Sequence, residues 1–434
     1  MLRSARVGLG RTFVLVLAVV AVLADLALGG LILRPESARA ATSITLMTPD
    51  ANSQAQEWYT KVLKPGFEKA TGITLNVIII PDWTAYLQKL PVMFASGEAP
   101  DVFSVGGEFV GTYVSQGMLL PLNRFTDTWD GLKDMPRPAV LDGTVDGKQY
   151  TVPYRIDQRT LYYRKDIFDM VGLDPNHPPA TWDELVAMGR KLVVRDAEGR
   201  YVRDALNLYP AWDLLSIFVL QNGGQLVSAD GKRAGFDSPA AKEALQFFID
   251  LSQRYQIAGK DGSPWKGANS VVTGTSAMEY AGDWVLGAMA QVNPKQFNDL
   301  GVALPPKKVT RSGLLYVNKW AIASTSKAPE AAWKLIEYME EPERRGEVSR
   351  INSFLPARLT IIRSQAPWMN DPRWWTIMQA AEQTVPLPGK ARKLGDALSA
   401  MEKAVRSTLA GEKSLEQSLA EAVQQANLFL QGKQ

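Results

Sequence analysis

The chain has 434 residues and a mass of 47.7 kDa, a length that predicts two or three domains or one two-lobed unit. It contains no Cys, which excludes disulfides, Cys-ligated metals and thiol nucleophiles, and its single His, His177, disfavours a histidine-built metal site or a Ser–His–Asp triad. We therefore predict neither a metal nor a cofactor. Without residues 1–40, 43 positive and 43 negative side chains remain, and such a neutral body argues against a nucleic-acid partner.

The N-terminus has the pattern of an export signal. A basic start over residues 3–11 precedes an apolar run over residues 13–33, and an A-x-A pattern follows at residues 38–40, which predicts a signal peptide over residues 1–40. The alternative is an uncleaved membrane anchor, since 21 residues can span a bilayer, although Asp25 makes that run costly to insert. Both interpretations place the body outside the cytoplasm. No Cys is available for a lipid tether, so we predict a periplasmic protein.

The first part of the body predicts a parallel βαβαβ arrangement. Short β-rich segments alternate with amphipathic ones, and the 73–80 segment is apolar enough to predict a central strand. Alternating strands and helices of this kind are typical of an α/β fold with right-handed crossovers. The predicted strands are 44–47, 73–80 and 101–105, and the predicted helices are one through Trp58 and Phe67 and one over 84–96.

Helices dominate the rest of the chain. A capping box at Thr181–Glu184 opens one helix, and Ser238 followed by Pro239 opens another. Of the predicted helices, the first ends at 194 and the second at 253. Three more are predicted over 329–339, 395–409 and 414–430. We expect His177 at the surface and five tryptophans in the core: Trp58, Trp182, Trp333, Trp374 and Trp375.

Nine short phrases, in this order, resemble the extracellular solute-binding proteins of ATP-driven (ABC) importers, of the type that binds sugars and oligosaccharides. The shared order covers about residues 44–360, and the remainder resembles the family only in being helical. The phrases are ASGEAPDV at 95–102, GMLLPL at 117–122, GKQYTVP at 147–153, LYYRKD at 161–166, PATWDEL at 179–185, GTSAM at 274–278, GDW at 282–284, SKAPEAAW at 326–333 and LPAR at 355–358.

The resemblance implies a two-lobed α/β fold, the type II-like periplasmic binding protein fold. Each lobe would hold a mostly parallel sheet flanked by helices, with the ligand in the cleft between the lobes. It also implies a monomer that hands a carbohydrate to permease subunits in the inner membrane. The implied boundaries are hinge crossings near 152–157, 313–319 and 352–356, lobe one over 42–152 plus 319–352, and lobe two over 157–313 plus 356–434.

Ligands in parallel sheets lie beyond the carboxyl ends of strands, and this rule selects four candidate binding residues. Asp50 and Gln54 follow the first strand, Trp83 follows the second, and Glu108 follows the third. A sugar pocket needs flat aromatic faces and groups that bond hydroxyls. The alternatives stay open: a helix cap for Asp50 and Gln54, a helix staple for Trp83, and a solvated first-turn acid for Glu108.

Further candidates come from the resemblance. It implies ligand contacts for Arg155 and Asp157, which would otherwise form a pair that fixes the hinge, and a stacking role for Trp284, which would otherwise belong to the core. Arg155 departs from the family, where an aromatic is common, and this suggests an acidic or modified sugar. Arg358 follows the last crossing and would bind ligand or join the lobes. The remaining candidates are Tyr316, Asn318 and Trp320 on the second crossing, and Trp212 in lobe two.

The candidate residues are compatible with three functions. The favoured one is a carbohydrate-binding protein that performs no chemistry, because two Arg and three acids among the candidates suit a neutral polyol. The second is a binding protein for a glycerol phosphodiester, a polyamine or a small osmolyte, which would need several cations or several acids. The third is a periplasmic glycoside hydrolase, which needs two carboxylates about 5–10 Å apart, and Glu108 and Asp157 are the pair it would use. No P-loop or dinucleotide fingerprint is present.

Overall fold

A computed structural model of the chain describes residues 42–50, 52–259, 269–365, 367–368, 370–385 and 391–433. The signal segment predicted at residues 1–40 lies outside the described residues and stays a prediction. Among the helices in the described ranges, none combines the length and the apolarity that crossing a membrane requires.

Twelve strands can be traced through the described residues. Ten of them belong to one sheet with the order β2-β1-β3-β11-β6-β9-β8-β7, with β10 and β12 also paired to β6, while β4 and β5 form a separate hairpin. The strands are β1 (Ser43–Thr48), β2 (Thr74–Ile79), β3 (Val102–Val105), β4 (Thr144–Val145), β5 (Lys148–Gln149), β6 (Thr151–Arg164), β7 (Val194–Arg195), β8 (Tyr201–Asn207), β9 (Ser276–Ala281), β10 (Leu300–Ala303), β11 (Leu314–Ile322) and β12 (Leu355–Pro356).

Helices cover this sheet. A π-helical segment, Trp58–Leu63, joins the first two α-helices, and single 3₁₀ segments occupy Gly107–Phe109, Asp130–Asp134 and Pro294–Asp299. The α-helices are α1 (Ser53–Glu57), α2 (Lys64–Thr71), α3 (Trp83–Ser96), α4 (Val110–Ser115), α5 (Asn123–Thr126), α6 (Arg137–Leu141), α7 (Lys165–Met170), α8 (Trp182–Leu192), α9 (Trp212–Gln221), α10 (Pro239–Gln253), α11 (Ser270–Thr273), α12 (Trp284–Val292), α13 (Pro329–Met339), α14 (Pro342–Asn352), α15 (Leu359–Ser364), α16 (Pro372–Glu382), α17 (Leu394–Leu409) and α18 (Leu415–Leu430).

Two helices begin at their predicted caps, and a third begins at a capping box that was not predicted. The Glu184 amide donates to Thr181 Oγ1, and the Glu184 carboxylate accepts from the Ala180 amide. Ser238 caps α10 with Pro239 at its first position. Ser414 and Gln417 form a reciprocal capping box at α18.

The three predicted strands of the first part form a parallel sheet, with β1 between β2 and β3. The α/β fold class is confirmed, but the prediction that the 73–80 strand is central is wrong, because β2 pairs with β1 alone among the described strands. Its apolar residues pack into two different hydrophobic clusters, Val77 and Ile79 into one and Ile78 into another. The apolar sequence of β2 therefore indicates that both faces of the strand are covered. It does not indicate where the strand lies in the sheet.

The middle of the sheet is antiparallel. β6 pairs with β11 from Arg159↔Leu314 to Thr151↔Ala321, and β12 pairs with Ile156 and Arg155. The three segments predicted to cross between lobes thus lie side by side as neighbouring strands. Beyond them, β8 and β9 are parallel, and β6 pairs antiparallel with both β9 and β10.

Hydrophobic clusters pack the helices against the sheet. The largest joins α8, α9, α10, α17 and α18 to β8 and β9. A second packs β1 and β2 together with α13, α15 and α16, and a third packs α3 and α4 against β3. Large buried side chains such as Phe218 and Phe103 anchor them, and each fully buried aromatic contributes about 1.5–3 kcal/mol of transfer free energy.

Four of the five tryptophans expected in the core are buried there: Trp58, Trp182, Trp333 and Trp374. Trp375 is 48% exposed, so that prediction is wrong. Neighbouring positions on a helix point about 100° apart, and α16 buries Trp374 and leaves Trp375 outside. His177 is exposed as predicted and bonds Asp174.

Candidate functional site

A cleft of about 840 Å³ opens above the crossing strands. Its floor is one face of β6, where Arg155, Asp157 and Arg159 alternate with buried neighbours, since residues two apart on a strand share a face. β11 extends this floor, because Tyr316 lies opposite Asp157 and Asn318 lies opposite Arg155. The strand register thus places five polar or aromatic side chains on one surface.

The walls of the cleft are formed by helix starts. α3 contributes Trp83, α9 contributes Trp212 and Asp213, and α12 contributes Trp284. Glu108 enters from the 3₁₀ segment that follows β3. Acidic groups sit in or beside the first turns of several of these helices and offset their positive dipole ends.

Aromatic rings line the cleft in contact with a guanidinium group. The Arg159 guanidinium lies 4.3 Å from the ring centroid of Trp284 and 4.6 Å from that of Tyr316. Trp212 packs against Tyr316 with centroids 5.7 Å apart. Trp83 stacks on the buried Tyr86 ring at 5.4 Å. These contacts hold several flat faces at fixed positions around the cleft.

Gly282 is needed for the position of Trp284. A Cβ atom at Gly282 would collide with the Trp284 ring and with the Asp157 carboxylate. The residue between them, Asp283, is fully buried and accepts bonds from Arg155 at 2.6 Å and from the Leu355 amide at 2.7 Å. The sequence GDW at 282–284 is therefore required for packing. Gly282 leaves room for two side chains that meet there, and Asp283 joins β6 to β12.

Each guanidinium group of the cleft is matched by a carboxylate. Arg155 bonds Asp283 at 2.6 Å and approaches Asp157 to 3.5 Å. Arg159 bonds Asp157 at 2.6 Å. The third, Arg345, bonds the buried Glu340 at 2.5 Å. Because these cations are already neutralised, the cleft offers a solute hydrogen-bonding groups and little net positive charge.

Burial changes the acidity of two carboxyl groups that line the cleft and of Asp283, which is buried next to it. It raises the pKa of Glu108 to about 7, against the attraction of Lys319. It also raises the pKa of Asp283 to about 6, against the attraction of Arg155. The pKa of Asp50 is raised by burial too, although Asn352 donates a 2.9 Å hydrogen bond to that carboxylate. Desolvation disfavours the charged form in each case.

Nine of the twelve predicted binding residues lie in this one cleft, and whether they touch a ligand stays a prediction. They are Asp50, Trp83, Glu108, Arg155, Asp157, Trp212, Trp284, Tyr316 and Asn318.

The other three predicted binding residues lie outside the cleft. Gln54 is exposed on α1, where Asn52 takes the capping role. Trp320 is 0% exposed, stacks on Tyr154 and donates to Glu340. In a regular strand it would share the face of Asn318, two residues earlier, but the bulge after Asn318 shifts the register, so that Trp320 lies opposite Val152 and turns away from the floor.

Arg358, predicted to bind ligand, is the third residue that lies outside the cleft. Its Nε donates to Asp134 at 2.7 Å and its Nη1 to the Glu340 carbonyl at 2.9 Å, so its guanidinium is committed to structure. The ion-pair alternative describes this arrangement better than ligand binding does.

Several cleft residues were missed by the sequence analysis. Arg159 and Asp213 are the most notable, and both carried a signal. Arg159 continues the alternation of Arg155 and Asp157, and Asp213 follows β8 at the start of the next helix. Tyr209 follows the end of β8 and carried the same signal as Asp213. Residues brought in by long-range packing had no such local signal: Tyr59, Tyr154, Arg345, Phe354, Lys393, Asp396 and Ser399.

Comparisons with known proteins agree with this architecture. A sequence model of the family described as bacterial extracellular solute-binding protein matches residues 50–345. The mannitol-binding protein of Pseudomonas aeruginosa is 26% identical over 316 residues, covering 69% of each chain. The sn-glycerol-3-phosphate-binding periplasmic protein of Shigella dysenteriae is 25% identical over 308 residues, covering 65% of this chain and 68% of that protein.

A solved structure shares the fold. An ABC transporter solute-binding protein from Thermotoga lettingae, crystallised with α-D-tagatose, superimposes with a TM-score of 0.80 at 24% identity. The match covers 90% of this chain and 100% of that one. A likeness at this identity establishes the two-lobed fold and leaves the choice of solute to the residues of the cleft.

Proposed function

Because this chain belongs to the bacterial extracellular solute-binding proteins, we propose that its cleft captures a carbohydrate, either a mono- or oligosaccharide or a polyol. The protein works in the periplasm after export, as a monomer, and delivers the solute unchanged to the inner-membrane permease subunits of an ABC importer. The observation that carries the proposal is the cleft itself, where aromatic faces and carboxylates surround guanidinium groups that are already neutralised.

The chemistry of a sugar fits these groups. Its C–H faces pack on indole and phenol rings such as Trp284 and Tyr316, and its hydroxyls donate to carboxylates and accept from amides such as Asn318. Cation–π contacts with Arg159 hold two of these rings in place, and fixed rings lose less conformational entropy on binding.

The three strands β6, β11 and β12 support a hinge. In the proposed assignment, lobe one comprises 42–152 and 319–352, and lobe two comprises 157–313 and 356–434. Closure of two lobes around a solute is a known switching mode of periplasmic binding proteins, and a ligand drives it through its differential affinity for the closed state.

A glycerol phosphodiester is the second candidate, and one relative is named for glycerol 3-phosphate, a phosphate monoester of the same alcohol. A phosphate site needs cations that are free to pair with it. Here Arg155, Arg159 and Arg345 each bond a carboxylate at 2.6 Å or less, which favours an uncharged solute.

Binding can be tested by thermal unfolding of the mature protein with separate panels of neutral mono- and oligosaccharides, polyols, glycerol phosphodiesters and polyamines. A carbohydrate at 100 times its Kd is expected to stabilise the protein by about 2.7 kcal/mol. The solute recovered after the experiment should be chemically unchanged. Stabilisation by phosphodiesters or polyamines alone would reject the carbohydrate, and hydrolysis of a bound sugar would identify a glycosidase.

A further inference from the structure

The carboxyl group of Glu108 has no role in the packing described so far. Glu108 lines the cleft, is only 7% exposed, and its Oε2 has no hydrogen-bond partner among the described residues. Each of the three arginines that line the cleft is paired with an acid other than Glu108. A backbone hydrogen bond at Glu108 itself favours the charged form, but desolvation outweighs it, because a buried carboxylate with an unpaired oxygen is costly to keep charged.

The cation that attracts the Glu108 carboxylate most strongly, Lys319, is committed elsewhere. Lys319 is fully buried on β11, and its Nζ donates to Asp142 Oδ2 at 2.5 Å and to the Val317 carbonyl at 2.8 Å. Asp142 Oδ1 has no partner among the described residues. Gly107, the neighbour of Glu108 in the chain, packs against this ion pair, since a Cβ there would be 3.0 Å from Lys319 Nζ and would collide with Asp142 Oδ2. Two carboxyl groups therefore share one ammonium, and the cluster is neutral only when one of them holds a proton.

The remaining groups that face Glu108 do not change this balance. Arg159 on β6 attracts its charge, but Arg159 is bonded to Asp157. Tyr113 on α4 and Tyr316 on β11 are phenols whose pKa values are raised by burial, so they stay neutral. Gly106 packs so closely that a Cβ there would lie 2.6 Å from Glu108 Oε2. Little room is left for water on that side of the carboxyl group.

We propose that Glu108 makes solute capture proton-linked: its carboxyl group holds a proton before the solute binds and releases that proton to solvent when a solute hydroxyl donates a hydrogen bond to it. This inference rests on the proposed function. The Oε–H bond is broken, the proton leaves to the buffer, and the solute itself keeps all its atoms. Burial, which raises the pKa of Glu108 to about 7, places the transition within the range of ordinary environments.

The direction of the pH dependence follows from the protonation state of Glu108 that the solute prefers. A donated hydrogen bond stabilises the carboxylate, so the complex holds fewer protons than the free protein below about pH 7. Affinity is then highest above pH 7 and falls as the pH decreases. With complete ionisation in the complex, Kd rises about tenfold between about pH 8 and about pH 6.

The test is isothermal titration of the mature protein with the tightest carbohydrate of the panel, from about pH 5.5 to about pH 8.5, in two buffers that differ in ionisation enthalpy. We expect the Kd to rise about tenfold as described, with a buffer-dependent heat that reports release of up to about one proton. Glu108→Gln should abolish both effects and keep the fold, because it removes a buried charge and preserves the shape. Glu330→Gln, an exposed carboxylate paired with Arg124, should keep both.

Asp142 and Asp283 are the competing titrations, since burial raises the pKa of Asp142 and raises that of Asp283 to about 6. Both are unchanged in the Glu108→Gln variant, so a pH dependence that survives there would assign the proton to another group and overturn the inference. Carbohydrate binding with the same Kd at every pH would overturn it as well and leave the proposed function intact. Failure of every carbohydrate to bind at any pH would remove the proposed function itself, and this inference with it.

Discussion

At the scale of single residues, the cleft depends on one alternating stretch of strand β6. Arg155, Asp157 and Arg159 share a face, and each contacts a residue that comes from far along the chain. Arg159 reaches Trp284 and Tyr316. The functional side chains are thus positioned by one strand and by rings that pack on its charges.

Trp284→Ala is expected to weaken carbohydrate binding by about 1–3 kcal/mol, or about 5- to 150-fold in Kd, because it removes a stacking face and leaves Arg159 without one of its rings. Titration calorimetry measures the change. Trp284→Phe should recover much of the affinity, since it keeps a ring. Trp375→Ala, at an exposed position outside the cleft, is the control, and wild-type affinity in Trp284→Ala would exclude Trp284 from the binding site.

Local patterns predicted cleft residues that share a strand or follow one. Asp50, Trp83 and Glu108 were found by the strand-end rule, because it depends only on local sequence. Arg345 had no such signal: it points into the cleft from the middle of α14, a helix without a clear apolar face. Its guanidinium bonds Glu340 at the end of the preceding helix. It also lies 5.1 Å from the ring centroid of Tyr154, a long-range contact that local sequence does not reveal.

At the scale of elements, Asp134 ties two segments together. It accepts from Arg358 Nε at 2.7 Å, from the Thr360 amide at 3.0 Å and from the Thr360 hydroxyl at 2.5 Å. These bonds join the 3₁₀ segment Asp130–Asp134 to the start of α15. Burial raises the pKa of Asp134, but the bonds from Thr360 and Arg358 outweigh it and hold the pKa below its usual range.

Asp134→Asn is expected to lower the free energy of unfolding by about 1–3 kcal/mol at pH 7, because Arg358 loses its charged partner. A depressed folded-state pKa means that the contribution is present above the unfolded pKa of about 4 and is lost as the pH falls through the lower folded value. Urea unfolding of both proteins at pH 7 and near pH 3 measures it. A stability difference of equal size at both pH values would contradict the charged interaction.

Element bounds were predicted well where caps and periodicity agree, as for α8, α10 and α18. The order of strands could not be predicted in the same way. β2 is as apolar as an interior strand because helices cover both of its faces, and the antiparallel return of β11 between β3 and β6 is a long-range pairing without a local signal.

At the scale of the whole molecule, the two proposed lobes meet at the mouth of the cleft as well as at the crossing strands. The Lys393 amide, at the start of α17, donates to Thr112 Oγ1 of α4 at 3.1 Å. The ring of Phe109 lies beside Gly395. A direct bond between the lobes favours the closed arrangement before any solute contributes to it.

Thr112→Val is expected to raise the Kd for carbohydrate about two- to tenfold, because it removes the hydroxyl acceptor of one hydrogen bond that is worth about 0.5–1.5 kcal/mol, and a smaller closed population lowers the apparent affinity. Small-angle X-ray scattering should show a larger radius of gyration for the free variant than for the free wild type, and equal radii at saturation. Thr60→Val is the control, since the Thr60 hydroxyl bonds only its own helix. If Thr112→Val matches the wild type in both affinity and radius, the contact between Thr112 and Lys393 does not set the balance between open and closed forms.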